Sequence, residues 1–318
     1  MPKNITKNER IKIEALRDKG IGISEISSYL GRHRSSISRE LKKGQINGRY
    51  SAEHAEEINR SNMAREIYKG PSEYVIGIIE EKILNYQWSP EQISGWLKLE
   101  MDTSVSHTWI YTYIRKDQSE GGELANNLRR GVGKYQPKEK EYKGRIPNRV
   151  SIAERPVEIS ERTRLGDMEI DLIVGPKNRG AILTAVDRLS RLCYIKKLDC
   201  KSAEEVEKKA IELLSKYEDI KSITSDNGNE FFNHESIQEN LSVKYYFANP
   251  YASYERGSVE NLNGLVRQYI PKGTHFDEIT DEFILEIQNK LNDRPRKTLK
   301  FLTPNKFHVI MKSQKLTM

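Results

Sequence analysis

Three carboxylates in the C-terminal half stand out by their surroundings. Asp171 interrupts an apolar run, Ile170-Asp171-Leu172-Ile173-Val174. A charge inside such a strand is costly unless it binds something. Asp226 ends a short strand at Ser225-Asp226-Asn227-Gly228, where a glycine turn exposes it. Glu260 lies near a helix start in Glu255-Arg256-Gly257-Ser258-Val259-Glu260-Asn261-Leu262-Asn263-Gly264. Asn263 and Arg267 follow it at i+3 and i+7 and share its face. Acids projected from separate rigid elements into one cleft can hold two hard divalent cations roughly 3.5–4 Å apart. One ion activates a nucleophile and the other stabilises the leaving oxygen of a displacement at phosphorus. Mg²⁺ takes oxygen ligands and keeps waters, so few protein carboxylates are enough. Any one of these acids alone reads more readily as a cap, a turn residue or a surface charge. The chain carries 46 Asp and Glu, and most of them must be structural. The combination, with 33 residues between Asp226 and Glu260, is what points to chemistry.

The elements that would position these acids are legible. Residues 168–174, 181–187 and 192–198 have the composition of strands joined by short turns. An amphipathic helix follows over 202–217, with Ser202 and Glu205 spaced as a capping box. Strands over 220–225 and 243–247 and helices over 257–269 and 281–292 complete the region. Three strands, a helix, a strand and further helices predict an α/β domain with a mixed sheet, compatible with a ribonuclease-H-like fold.

The N-terminal region has a different character. The whole chain of 318 residues carries a formal charge of +7, and residues 1–50 alone hold 12 Lys and Arg against 5 acids. The entire excess therefore sits at one end, as expected of a nucleic-acid-binding module ahead of a neutral domain. Residues 6–43 read as three short helices, with Ile11, Ala15 and Leu16 inside the first, Ser24 capping the second, and Ile37 and Leu41 buried in the third. In a helix-turn-helix that last helix enters the major groove. Arg34, Ser35, Ser36, Arg39 and Lys42 are then the candidate DNA contacts, the arginines suited to guanine and the others to base edges or phosphates. Residues 72–116 repeat the plan, with a helix start at Ser89-Pro90-Glu91 and a last helix capped by Ser106. His107, Thr108 and Tyr111 are its exposed candidates, and docking to protein competes with DNA contact there.

Residues 121–160 read as a basic, Gly- and Pro-rich linker that is either a solvated tether or a segment that tracks DNA backbone. The expected division is thus 1–50 and 51–120 for two all-α modules, 121–160 for the linker and 161–318 for the α/β domain. Cys193 and Cys200 are the only cysteines, and their spacing fits neither a zinc site nor a redox motif. No apolar run is long enough to span a bilayer and no signal peptide is evident, so a cytoplasmic protein without membrane partner is expected.

Longer motifs surround these residues. They include Ser35-Ser36-Ile37-Ser38-Arg39-Glu40-Leu41, Trp88-Ser89-Pro90-Glu91-Gln92-Ile93 and Gly166-Asp167-Met168-Glu169-Ile170-Asp171-Leu172-Ile173-Val174-Gly175. Ser225-Asp226-Asn227-Gly228-Asn229-Glu230-Phe231, Asn249-Pro250-Tyr251-Ala252-Ser253-Tyr254-Glu255-Arg256-Gly257 and Arg294-Pro295-Arg296-Lys297 follow. Together they cover nearly the whole chain, which resembles the bacterial insertion-sequence transposases of the IS-30 family, within the wider DDE transposase and integrase class. The resemblance implies an RNase-H-like catalytic domain, a triad of Asp171, Asp226 and Glu260 that is both catalytic and metal-binding, and two Mg²⁺ or Mn²⁺ ions. It also implies double-stranded DNA partners, namely terminal inverted repeats and target DNA, cut and joined by a homodimer or larger assembly. Met168 and Ile170 stand where the family usually shows Trp and Gly.

Other residues are weighed beside the triad. Glu169 alternates onto the face of Asp171 and could support the site without binding metal. Asp167, Asp187, Glu230 and Glu255 lie near the cleft in sequence; His234 and His275 read as structural. Asn263 and Arg267 are expected to position DNA or orient Glu260, and Lys272, Arg294, Arg296 and Lys297 to touch phosphates. The competing readings are a DNA-binding regulator that has lost catalysis, a nuclease that cuts without joining, and a metal-free hydrolase.

Overall fold

The computed structural model describes residues 4–65, 70–129, 146–217, 219–249 and 252–315. Part of the expected linker, 130–145, lies outside them, as do Pro250 and Tyr251. The chain divides into two compact units, Met1–Ser72 and Glu73–Met318.

The first unit begins with α1 (Lys7–Asp18), α2 (Ile23–Leu30) and α3 (Arg34–Lys43), followed by a two-residue hairpin, β1 (Gln45–Ile46) and β2 (Arg49–Tyr50), and α4 (Ala52–Arg65). Thr6 and Glu9 form a capping box on α1, and Gly31 ends α2 with φ 61°, which L side chains rarely adopt. Ser24 does not cap α2; the helix starts earlier, with Gly22 in the cap position. Ile13, Ile26 and Ile37 make the core, whereas Ile11 faces outward. Arg10 is buried among them, donating to Glu40 Oε1 at 2.6 Å and to Glu56 Oε2 at 2.7 Å. This ties α1 to α3 and α4, so the unit continues past residue 50.

The second unit opens with α5 (Glu73–Leu84), α6 (Pro90–Met101) and α7 (His107–Ser119), packed on Val75, Ile79, Ile83, Trp88, Ile93, Leu97, Ile110 and Ile114. Ser89 and Gln92 form the capping box of α6, and Ser106 accepts the N–H of Trp109 at the start of α7. The chain then continues from residue 146. Ile146 packs into the core of the sheet, the carbonyl of Val150 accepts the N–H of Phe247, and Ser151 bridges to the same residue. This part of the expected linker is therefore an edge of the sheet rather than a tether, and it leads to α8 (Val157–Glu161).

The sheet contains β3 (Asp167–Val174), β4 (Ala181–Asp187), β5 (Cys193–Leu198), β6 (Ser222–Ser225) and β7 (Lys244–Phe247) in the order β5-β4-β3-β6-β7. The β5-β4-β3 pairs are antiparallel, and β3-β6-β7 are parallel. One face is covered by α9 (Ala203–Leu214) and α10 (His234–Leu241), the other by α11 (Gly257–Tyr269) and α12 (Asp281–Asn292); α13 (Pro304–Lys315) ends the described chain. This is an α/β fold with a mixed five-stranded sheet between two helical layers.

Alternation along β3 sorts its residues between the layers. Met168, Ile170 and Leu172 belong to the core beneath α9, while Ile173 belongs to the core beneath α11. Glu169 and Asp171 share the side of Ile173. Met168 and Ile170, the two departures flanking Asp171, therefore fill the opposite core and are both fully buried there.

Candidate active site

Asp171 lies midway along β3, and Asp226 immediately follows the adjacent parallel strand β6. Glu169 is paired with Thr224 across these strands, so two residues further on Asp171 and Asp226 stand level. Both carboxylates reach one cation: Arg256 Nη1 lies 3.5 Å from Asp171 Oδ2 and its Nη2 lies 3.6 Å from Asp226 Oδ2. The Arg256 side chain is buried and the aspartates partly so, and the Arg256 Nε has no hydrogen-bond partner among the described residues.

Further interactions hold each aspartate. Asp171 Oδ2 accepts a 3.0 Å hydrogen bond from Asn263 Nδ2, whose Oδ1 accepts one of 2.7 Å from Thr184 on β4. Asp226 Oδ1 accepts the backbone N–H of Gly228 at 3.0 Å, the short loop that its Asp-Asn-Gly sequence favours. A Cβ at Gly228 would displace the Glu230 carboxyl. Burial, and after it the charges of Asp226 and Asp171, push Glu230 above the usual carboxylate range.

Helix α11 supplies the facing wall. Arg256 stands immediately before it, and Glu260 and Asn263 follow at i+4 and i+7, so the three lie on one stripe. Its two outer members touch Asp171, and Glu260 lies between them, exposed to solvent. Among the described residues no three His, Cys, Asp or Glu side chains are gathered closely enough to hold a metal ion. The structure thus brings Asp171 and Asp226 together and places Glu260 on the helix facing them, without closing the three into one cluster. The oxygen donors of the two aspartates, already converging on a cation, fit a hard divalent ion.

The start of α11 is fixed from β3. Glu169 Oε2 accepts the backbone N–H groups of Ser258 and Val259 at 2.9 and 3.0 Å, while its Oε1 pairs with Arg188 at 2.8 Å. These N–H groups have no partner inside the helix, and a carboxylate there also matches the positive end of the helix dipole.

The sequence itself shows which proteins this chain is similar to. A helix-turn-helix domain family matches residues 2–44. The transposase for insertion sequence element IS4351 of Bacteroides fragilis is 42% identical over 313 residues, covering 96% of this chain and 95% of that one. Transposase InsI for insertion sequence element IS30A of Escherichia coli strain K12 is 34% identical over 323 residues, covering 95% and 82%. The chain belongs to the IS30 family of insertion-sequence transposases.

Other likenesses accompany this membership. The transposase for IS1086 of Cupriavidus metallidurans is 33% identical and covers 93% of this chain and 91% of its own. Among solved structures, the catalytic core domain of BIV integrase covers 48% of this chain and 98% of its own, with 21% identity and a TM-score of 0.38.

In this IS30-family transposase the expected DNA contacts fall into two groups. Arg34, Arg39 and Lys42 on α3 are exposed, Ser35 and Ser36 are half-buried, and His107 and Thr108 at the start of α7 are exposed. Lys272 is exposed, and Lys297 is ion-paired with Glu91 at 2.6 Å. Arg267 is turned inward: Nη2 donates to the carbonyl of Val174 at 3.0 Å and its guanidinium lies over the Phe276 ring. Arg296 is buried and donates to the carbonyl of Leu291. Arg294, read from sequence as a phosphate contact, is 1% exposed. It donates to Gln92 at 2.9 Å and Gln268 at 3.0 Å and so locks α6 to α11. Gly95 on α6 lies so close to the Phe301 ring that no Cβ would fit.

Sequence reasoning missed Arg256 as the cation shared by the two aspartates. The available signal was its position four residues before Glu260, on the stripe already assigned to Asn263.

Proposed function

We propose that this transposase binds the terminal inverted repeats of its insertion sequence and catalyses divalent-metal-dependent strand cleavage and strand transfer at Asp171, Asp226 and Glu260. The observation that carries this reading is the shared Arg256 guanidinium. Two aspartates from adjacent parallel strands lie beside one cation, and Glu260 belongs to the stripe of α11 that runs from that cation to Asn263.

Asp171, Asp226 and Glu260 would hold two Mg²⁺ or Mn²⁺ ions. When bound, such ions supply Lewis-acid stabilisation of charge at phosphorus and a nucleophile active at neutral pH. Arg256 balances the two aspartates and keeps them side by side. Asn263, oriented by Thr184, fixes the direction of the Asp171 carboxylate. Glu169 seats the start of α11 and thereby the register of Glu260 against β3. Cleavage and strand transfer are both in-line displacements at phosphorus, so one site serves both.

Recognition is assigned to α3, through Arg34, Ser35, Ser36, Arg39 and Lys42, with His107 and Thr108 of α7 as a second contact. Lys272 and Lys297 are assigned to the DNA backbone. Two ends must be joined to one target, which calls for a dimer or larger assembly on DNA.

The test is a cleavage-and-joining assay on a labelled duplex carrying the element's own end, with Mg²⁺ or Mn²⁺. Wild type is expected to nick the end and join it to target DNA, and Asp226→Asn to bind it without cutting. If the two proteins behave alike, the chain is a DNA-binding regulator; cutting without joining makes it a nuclease.

A further inference from the structure

The stripe of α11 opposite its catalytic one carries Ser258, Asn261, Leu262 and Leu265, at i, i+3, i+4 and i+7. There a cleft of about 390 Å³ is lined by Arg162, Arg191, Arg296, Ser258, Asn261 and Thr298 over an apolar floor. Its size is that of a small-ligand pocket. Arg162 ends α8, Arg191 belongs to the β4–β5 turn, and Arg296 and Thr298 lie in the segment after α12. No carboxylate lines it among the described residues.

Three guanidinium groups around one cleft need compensation, and none of them is ion-paired with an acid among the described residues. Arg191 Nη1 donates to the hydroxyl of Ser258. Arg296 is 8% exposed; Nη2 donates to the carbonyl of Leu291, while Nε is buried without a partner among the described residues. The acids nearest in charge, Glu169 and Asp187, are committed elsewhere. Glu169 is held by Arg188 and the start of α11, and Asp187 by Ser190 and the N–H of Gly166. Burial, with the charge of Arg162 next, pushes the Arg191 guanidinium down to about 10. Buried polar groups left without partners cost free energy, and a native site that keeps them needs a reason.

We propose that this cleft is a phosphate subsite that takes a backbone phosphodiester of the duplex DNA handled by the transposase. Arginine forks match phosphate oxygens in two-point fashion, and the Ser258, Asn261 and Thr298 side chains add neutral polar contacts. A helix with its side chains is about 10–12 Å across, and each DNA strand carries a charge about every 3.4 Å of axis. A backbone engaged at Asp171 and Asp226 therefore reaches the far side of α11 about three phosphates along. The subsite rests on the proposed reading of the chain as a DNA-processing enzyme. It adds a contact that carries no sequence information.

The test measures binding of the full chain to an element-end duplex and to a random duplex, without divalent metal, across a range of salt. For the double variant Arg162→Gln and Arg191→Gln, affinity is expected to fall several-fold, equally on both duplexes. The slope of log K against log salt should become shallower by about 0.9 for each phosphate that the variant no longer neutralises. Arg162→Gln alone guards against misfolding, because that side chain makes no hydrogen bond with the described residues, and it is expected to show part of the same change. An unchanged slope in both folded variants overturns the subsite, as does a loss confined to the element end. Metal-dependent cleavage by wild type is read separately. If the subsite fails, wild type still cleaves; if the enzymatic reading fails, wild type does not cleave while the slope change persists.

Discussion

The carboxylate of Glu169, two residues before Asp171 on β3, accepts a 2.9 Å hydrogen bond from the backbone N–H of Ser258 at the start of α11. A fully buried acid thus joins the strand that carries one candidate catalytic residue to the helix that carries another. Glu169→Ala leaves Arg188 as an uncompensated buried charge and frees two helix N–H groups. We expect it to destabilise the protein by about 3–5 kcal/mol, the range for breaking a buried ion pair. Glu169→Gln keeps one acceptor and should cost less. Chemical denaturation of both variants checks the order.

Asn263 has no charge to give to catalysis, but it orients Asp171 and is itself oriented by Thr184. Removing such a supporting partner typically costs about 10–100-fold in metal affinity or activity. Asn263→Ala is expected to lower the cleavage rate within that range while DNA affinity stays at the wild-type level. Thr184→Val, which removes the hydroxyl's contacts with Asn263 and the Asp171 carbonyl but spares the Asn263 bond to the Asp171 carboxylate, should have a smaller effect. Single-turnover cleavage alongside a binding titration separates the two quantities.

Arg294 couples α6 to α11 through Gln92 and Gln268. Arg294→Met keeps much of the packing volume but deletes two hydrogen bonds from a charged donor, each worth about 1.5–3 kcal/mol. The urea midpoint is expected to fall accordingly. An unchanged midpoint would mean that the packing of α5–α7 against the sheet domain does not depend on this arginine.

Glu9 provides a pH prediction for the first unit. Its hydrogen bond from Arg32, with further help from Thr6, draws the carboxyl from the usual 4.5 down to about 2. Because the folded value is the lower one, the stabilisation is present above about pH 4.5 and is lost as pH falls toward 2. A carboxyl NMR titration should place the Glu9 midpoint near 2, and Arg32→Gln should return it toward 4.5. A wild-type midpoint already near 4.5 would contradict the pairing.

Much of the catalytic domain was legible in the sequence. The limits of β4, α11 and α12 coincide with those read from periodicity, because alternating or helical apolar patterns there end at sharp turn and cap signals. The short α10 was not read because Ile237 and Leu241 are its only aliphatic residues, too few for a period to emerge. The stripe of α11 that faces Asp171 was visible in the spacing of Glu260 and Asn263. The inward turn of Arg267, Arg294 and Arg296 was not. Arginines are mostly exposed, and only the tertiary fold shows which of them find carbonyls or amides inside. The role of Ile170 was hidden for a related reason. A residue beside Asp171 in sequence points to the opposite face of the sheet, a relation that strand alternation gives only once both layers are known to exist.

Catalysis as proposed requires Asp171, Asp226 and Glu260 to act as one cation site. The most direct test is a calorimetric titration of Mn²⁺ into the full chain bound to an element-end duplex, comparing wild type with Asp171→Asn, Asp226→Asn and Glu260→Gln. Saturable binding is expected in wild type, weakened at least about tenfold by each substitution, in line with the loss of a metal ligand or its support. Equal Mn²⁺ binding by all four folded proteins would contradict a shared site.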